Sequence, residues 1–139
     1  VEPIGAALDY APVAVVTLLA LLTYFAMAVG VARARVKAGI PAPAMTGDAR
    51  LERTIRAHVN TLEWLPIFLP ALWLFAAYWS IAAAAVIGAV WIVGRIIYFA
   101  GYVSAVRRRA PGFLIQTLAC TALILGALGR ILYLAVTGG

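Results

Sequence analysis

The residues best able to do chemistry in this chain are concentrated in Glu52-Arg53-Thr54-Ile55-Arg56-Ala57-His58-Val59-Asn60-Thr61-Leu62-Glu63, which runs straight into a long apolar segment. At about 100° per residue, Glu52, Arg56, Asn60 and Glu63 fall at roughly 0°, 40°, 80° and 20° of a helix. Two carboxylates, a guanidinium and an amide therefore share one stripe. A guanidinium grips carboxylates through paired hydrogen bonds, and a carboxylate holds an amine, so the stripe suits a ligand carrying both signs of charge. Ionisable groups inside a membrane segment are costly, face the bundle interior and mark a functional site by default.

A second polar face follows. At the same turn of about 100° per residue, Arg95, Tyr98, Tyr102 and Arg109 fall at roughly 0°, roughly 300°, roughly 340° and roughly 320°, provided the helix continues that far. Glu63 lies about 16 Å into its helix from Glu52, and Arg95 lies about 15 Å before the end of its own. A carboxylate and a guanidinium at equal depth can pair with each other or clamp opposite ends of a zwitterion. Two readings stay open at this point. In one, Glu63 and Arg95 form a structural ion pair, the tyrosines cap polar groups, and Arg107, Arg108 and Arg109 only fix topology. In the other, the two faces form a ligand pocket opening to one side.

The elements that must position these residues are membrane helices. Of 139 residues, 65% are hydrophobic and 12% charged, with a mean hydropathy of +1.03. A soluble domain of this size cannot hide that much apolar surface, whereas one span needs roughly 20 apolar residues, which leaves room for about four. The net charge of +6 sits at the ends of apolar runs. That placement points to topology and anionic headgroups and away from nucleic acid. Cys120, the only cysteine, lies in an apolar run and is read as packing, so neither a disulfide nor a metal site is expected. Glu2 and Asp9 stand where a signal peptide would carry bases, so the opening segment is not read as one.

The expected fold is all-α: a single four-span domain over residues 1–139, with spans near 11–35, 50–77, 81–105 and 112–136. Arg33, Arg35 and Lys37 end the first, and Gly39-Ile40-Pro41-Ala42-Pro43 cannot continue it. Asp48 is the expected N-cap of the second. No charge occurs from Trp64 to Gly94, and one helix of that length would rise about 46 Å, against a hydrocarbon core of about 30 Å. Two helices must share it, with the turn at Tyr78-Trp79-Ser80, where Tyr and Trp favour the membrane interface. The third span ends at Arg107-Arg108-Arg109, and Pro111-Gly112 opens the fourth. Both basic clusters lie on one side, which the positive-inside rule makes cytoplasmic. The expected location is a bacterial inner membrane with both termini outside the cytoplasm. Arg130 dissents at the outer end and is expected to snorkel.

The run Glu52-Arg53-x-x-Arg56-Ala57-His58-x-Asn60-x-x-Glu63-x-x-Pro66, followed by Arg95-x-x-Tyr98-x-x-Gly101-Tyr102, resembles the MAPEG family, the membrane-associated proteins in eicosanoid and glutathione metabolism. The resemblance extends from Arg33 to about Leu128 and is strongest to the leukotriene synthase branch. It implies a homotrimer of four-helix protomers that binds glutathione between subunits near the cytoplasmic leaflet. Carried over by position, Arg56, Asn60 and Glu63 hold the peptide's charged ends, and Tyr98 and Tyr102 line the same site. Trp64 stands where that branch has a tyrosine, which keeps stacking and loses the hydroxyl. His58 takes the place of a residue that reaches glutathione from the neighbouring subunit, and at about 240° it points away from the stripe. Arg53 belongs to the same motif, and Arg35 or Arg33 stands for the first-helix arginines. The thiol-activating arginine falls seven residues after the second tyrosine, on Arg109, with Arg107 and Arg108 as candidates from the same cluster.

What the resemblance implies chemically is a membrane-bound glutathione transferase. A thiol of ordinary pKa, about 8.5, becomes a thiolate beside a guanidinium, and about two pH units of preference correspond to about 2.7 kcal/mol. The thiolate attacks a hydrophobic electrophile from the bilayer or reduces a lipid hydroperoxide, with no metal required. The partners implied are glutathione, a lipid-like electrophile, membrane lipids and two further copies of the chain. The alternative is a non-catalytic lipid- or partner-binding relative; a small transporter is disfavoured because the polar faces open to one side.

Overall fold

The computed structural model describes residues 8–138. Four long helices follow one another up and down: α1 (Ala11–Ala38), α2 (Ala49–Tyr78), α3 (Ile81–Ser104) and α4 (Ala110–Thr137), with a short 3-10 turn, Val106–Arg109, between the last two. Each is long and apolar enough to cross a membrane. The expectation placed on Glu2 lies outside the described residues.

The boundaries are set by local chemistry. Asp48 caps α2, its side chain accepting from the Leu51 N–H at 2.7 Å. Ser80 does the same for α3 through the Ala83 N–H at 3.2 Å, which explains a two-residue turn without glycine or proline. α1 runs to Ala38, three residues past the expected end, and closes at Gly39 in the left-handed conformation. The third boundary differs from the sequence reading. α3 stops at Ser104, and Ala105 is extended (φ −162°, ψ 141°), so the helix does not carry through to Arg109. The fourth starts at Ala110, with Pro111 in its first turn where a missing N–H costs nothing.

Packing divides the helices into an inner and an outer pair. α2 and α3 share most of the core, centred on Phe68 and Trp91, both fully buried with rings stacked at 3.9 Å. α1 contributes Val13, Val16, Ala20 and Met27 at helical spacing. Much of α1 and α4 stays apolar and outward-facing, as Leu18, Leu22, Phe25, Leu125 and Leu132 show; bilayer or another chain is the only solvent that suits such faces. All the basic residues of 33–56 and 107–109 gather at one end of the bundle, where Arg53 Nε donates to the Val103 carbonyl at 3.2 Å. Arg130 is at the other end, donating to the Tyr78 carbonyl at 3.3 Å.

Two glycines decide how closely the second half of the chain folds. A Cβ on Gly112 would stand 2.1 Å from the Tyr98 amide nitrogen, and one on Gly101 would stand 2.1 Å from the Arg108 carbonyl oxygen. Both contacts are with backbone atoms, so no side chain can yield. Gly112 thereby lets α4 lie directly on α3, and Gly101 lets the 3-10 turn fold back onto the end of α3. Gly112→Ala is expected to lower thermal stability in detergent, costing at least the roughly 1–3 kcal/mol typical of overpacking. Gly129→Ala, which meets nothing within 4 Å, should leave the melting temperature unchanged or raised. Equal melting temperatures for Gly112→Ala and the parent would contradict this account.

Candidate functional site

The one fully buried charged group among the described residues is Arg95, near the middle of α3. A guanidinium in such a place must find partners or unfold the bundle. Its Nη2 donates to Thr61 Oγ1 at 2.7 Å and to Asn60 Oδ1 at 3.1 Å, both on α2. Thr61 in turn donates to the Ala57 carbonyl at 2.9 Å and lies 3.3 Å from the Met27 sulfur of α1. Nε and Nη1 have no hydrogen-bond partner among the described residues. Aromatic faces meet the charge instead: the Tyr98 ring centroid is 4.2 Å from the guanidinium carbon and that of Trp91 5.9 Å. Desolvated cation–π contacts of this kind reach about 2 kcal/mol.

The direct Glu63–Arg95 pair weighed from depth alone does not form. Glu63 pairs with Arg56, one face of α2 away from Arg95, at 3.3 Å. Asn60 joins the two systems, because its Nδ2 donates to Glu63 Oε2 at 3.2 Å while its oxygen accepts from Arg95. The Arg56 and Glu63 side chains are 56% and 50% exposed, so this half of the site is open to an incoming ligand. Glu52 does not join it: its carboxylate accepts from the Gly47 N–H at 3.0 Å and secures the α1–α2 loop.

Arg109 reaches the same site by another route than helical phase. With α3 ended at Ser104, the extended Ala105 and the 3-10 turn carry the chain back, and the Arg109 guanidinium carbon stops 5.2 Å from the Tyr102 ring centroid. Tyr98 and Tyr102 are both buried, with ring centroids 5.6 Å apart. Arg56, Asn60, Tyr98, Arg109 and Phe113 line one cleft of about 210 Å³. Phe113 packs edge-on to Trp64 at 5.9 Å and lies 6.1 Å from Tyr98, which gives the cleft an apolar rim. Chemically, the two guanidiniums, with the Glu63 carboxylate beside them, can hold a zwitterionic ligand, and the Tyr98 phenol and the Phe113 ring can flank its middle.

Other residues singled out from the sequence fall elsewhere. Arg35 donates to the Ala44 carbonyl and pins the loop. Arg53 is engaged with the Val103 carbonyl. Arg33 faces a separate cavity of about 390 Å³ between α1, α2 and α3, with Lys37 and Arg50. That cavity is larger than the cleft, but it brings together neither the carboxylate–guanidinium pair nor the tyrosines. His58 stacks flat on Tyr24 of α1 at 4.5 Å, and its Nε2 is buried without a hydrogen-bond partner among the described residues; it does not line the cleft of its own protomer. Arg107 and Arg108 are exposed on the 3-10 turn. Sequence reasoning missed Thr61 and Phe113. Thr61 is about 100° further round the helix than Asn60, and only its neighbour's polarity signalled it; Phe113 has no signal beyond its place after Pro111-Gly112.

Comparison with known proteins shows the family. A model of the MAPEG family matches residues 13–129. Microsomal glutathione S-transferase 2 of Homo sapiens is 42% identical over 109 residues, 77% of this chain and 72% of its own. Leukotriene C4 synthase of Cavia porcellus is 40% identical over 104 residues, 74% of this chain and 69% of its own. An uncharacterized protein of Synechocystis sp. is 46% identical over 120 residues, 86% of this chain and 88% of its own. The matched region reaches into all four apolar helices and includes every residue of the cleft; the chain is a multi-pass integral membrane protein and belongs to the MAPEG family.

Proposed function

We propose that this protein is a membrane-bound glutathione transferase that works as a homotrimer. The observation that carries the reading is the convergence of Arg56, Asn60, Tyr98, Arg109 and Phe113 on one cleft, with Glu63 bonded to Arg56 and Asn60 beside it. Glutathione has two carboxylates, an amine and a thiol. Arg56 binds a carboxylate through paired hydrogen bonds, Glu63 binds the amine, and Arg109 faces the thiol. Arg109 stabilises the thiolate, releasing the proton to solvent. The sulfur then forms a bond to an electrophilic carbon as an electron pair departs onto the leaving group or a ring oxygen. In the peroxidase variant the thiolate takes the terminal oxygen of a lipid hydroperoxide, the O–O bond breaks and the alkoxide leaves to be protonated to the alcohol. A second glutathione then displaces water from the resulting sulfenic acid to form the disulfide. The apolar rim of Phe113 and Trp64 is where a hydrophobic electrophile from the bilayer meets the sulfur. The two relatives named for glutathione transfer and leukotriene synthesis support the same reaction class.

The cleft in one chain supports the trimer. At about 210 Å³ it is smaller than the roughly 300–1,000 Å³ of complete ligand sites, which fits a site shared with a second protomer. His58, held by Tyr24 on another side of the protomer, is available to a neighbour's cleft. The positive-inside rule places the basic end, and the cleft with it, in the cytoplasm with both termini outside, in the inner membrane if the host is bacterial. Native mass spectrometry in mild detergent is expected to give the mass of three chains; monomers alone would overturn the trimer.

Because Arg56 and Glu63 are half-exposed, their pairing contributes only about 0–1 kcal/mol to the fold. Arg56→Ala and Glu63→Gln should therefore assemble normally and bind glutathione roughly 10- to 100-fold more weakly, the size of one charge-assisted hydrogen bond. Calorimetric titration of each variant checks this, and parental affinity in both would remove these residues from the site.

Arg109→Ala is expected to retain glutathione binding and lose thiolate formation at neutral pH. Its conjugation rate with an aromatic electrophile should rise only as pH approaches about 8.5, the ordinary thiol value, whereas Arg107→Ala and Arg108→Ala keep the parental profile. An unchanged profile for Arg109→Ala would reassign the role to another arginine. Glutathione binding without turnover in the parent would favour the non-catalytic class.

A further inference from the structure

Far from the polar cleft, at the opposite end of the bundle, α4 carries a second built feature. Arg130 is the only Lys or Arg among the described residues at that end. A lone cation on the side that the distribution of basic residues otherwise avoids needs a local reason. Its guanidinium is held in place twice: Nε donates to the Tyr78 carbonyl at 3.3 Å, at the last turn of α2, and the guanidinium carbon lies 5.7 Å from the Tyr133 ring centroid. No carboxylate among the described residues forms an ion pair with it. A positive charge is thus positioned by a backbone carbonyl and a ring, and it forms no ion pair among the described residues.

The surface beside it is concave. A groove of about 500 Å³ runs along α4 from Arg130 past Gly129, Gly126 and Leu125, with Trp79 and Tyr133 as its walls. Gly129 leaves the floor open, since a Cβ there would meet nothing within 4 Å. Trp79 and Tyr133 are each 59% exposed, and with Tyr78 they form the kind of aromatic belt that marks the membrane–water boundary. Leu125 lies five residues from Arg130, about 7.5 Å along the helix toward the membrane interior. The groove therefore offers a cation at the boundary and an apolar trough leading down from it.

We propose that this groove is a binding site for an anionic phospholipid, with the phosphate on Arg130 and one acyl chain lying over Gly129, Gly126 and Leu125. Charge complementarity selects the headgroup, because Arg130 forms no ion pair among the described residues. The trough selects an amphiphile over a free anion, because a phosphate alone has no use for Trp79, Leu125 or the bare floor at Gly129. The site is independent of the glutathione cleft, as it shares no residue with it.

The test is lipid retention. The full-length protein is reconstituted in mixed phosphatidylcholine–phosphatidylglycerol vesicles, extracted in mild detergent and weighed by native mass spectrometry. The parent should retain phosphatidylglycerol in preference to phosphatidylcholine. Arg130→Gln should retain roughly fivefold less, the effect expected of one cation facing an anionic headgroup, and Arg130→Lys should retain most of it. Gly129→Leu fills the trough while leaving the charge, and should lose the lipid as well. Unchanged retention in Arg130→Gln overturns the proposal. Displacement of phosphatidylglycerol by inorganic phosphate, with Gly129→Leu behaving like the parent, overturns it in favour of a simple anion site. Loss of the oligomer in Arg130→Gln and in Gly129→Leu overturns it in favour of a second copy of this chain in the groove.

Discussion

The structure depends on satisfying one guanidinium that the fold holds out of water. Arg95 is fully buried in an apolar bundle, and breaking the partners of a buried charge costs about 3–5 kcal/mol, a large part of the stability of any domain. The solution draws in three helices. α3 supplies the cation and the Tyr98 and Trp91 rings, α2 supplies Asn60 and Thr61, and α1 supplies Met27 behind Thr61. Satisfying Arg95 fixes the rotation of α2 against α3. That rotation in turn decides which face of α2 shows Arg56 and Glu63 to the cleft.

The other half of the site is positioned by main chain. Gly101 and Gly112 lack the atoms that would hold the 3-10 turn and α4 away from α3. The result is that Arg109 sits over Tyr102, and Phe113 sits against Tyr98 and Trp64. One wall of the cleft is thus set by a buried charge and the other by two backbone contacts, and neither requires the helix register to continue from one wall to the other.

Much of this is legible in the sequence, and the gaps have physical causes. The four helices follow from apolar run length, and the Tyr78–Ser80 turn from the impossibility of fitting a straight helix of about 46 Å into a bilayer core of about 30 Å. The Arg56–Asn60–Glu63 stripe follows from periodicity. Partner choice does not: equal depth makes Glu63 and Arg95 natural partners, but side chains on adjacent faces of α2 compete, and Arg56 takes the carboxylate while Asn60 and Thr61 take the guanidinium. Periodicity puts Arg109 on the tyrosine face only if one helix runs through residue 109. The helix ends at Ser104, and a reversing turn brings the arginine to the same rings. Periodicity cannot see such a return, because it depends on Gly101 making room for the Arg108 carbonyl. Arg35 and Arg53 carry no mark in the sequence that distinguishes ligand contacts from the backbone carbonyls that occupy them.

Asn60 holds the two charge systems apart as well as together. Its oxygen accepts from Arg95 and its nitrogen donates to Glu63, so one neutral side chain presents the correct pole to a cation on one side and an anion on the other. An aspartate would satisfy Arg95 and repel Glu63; a lysine would do the reverse. Shortening to serine leaves one of the two groups unmet. The amide therefore acts as an electrical insulator with two matched terminals: a change of partner at the exposed Glu63 leaves undisturbed the charge on which the bundle is built.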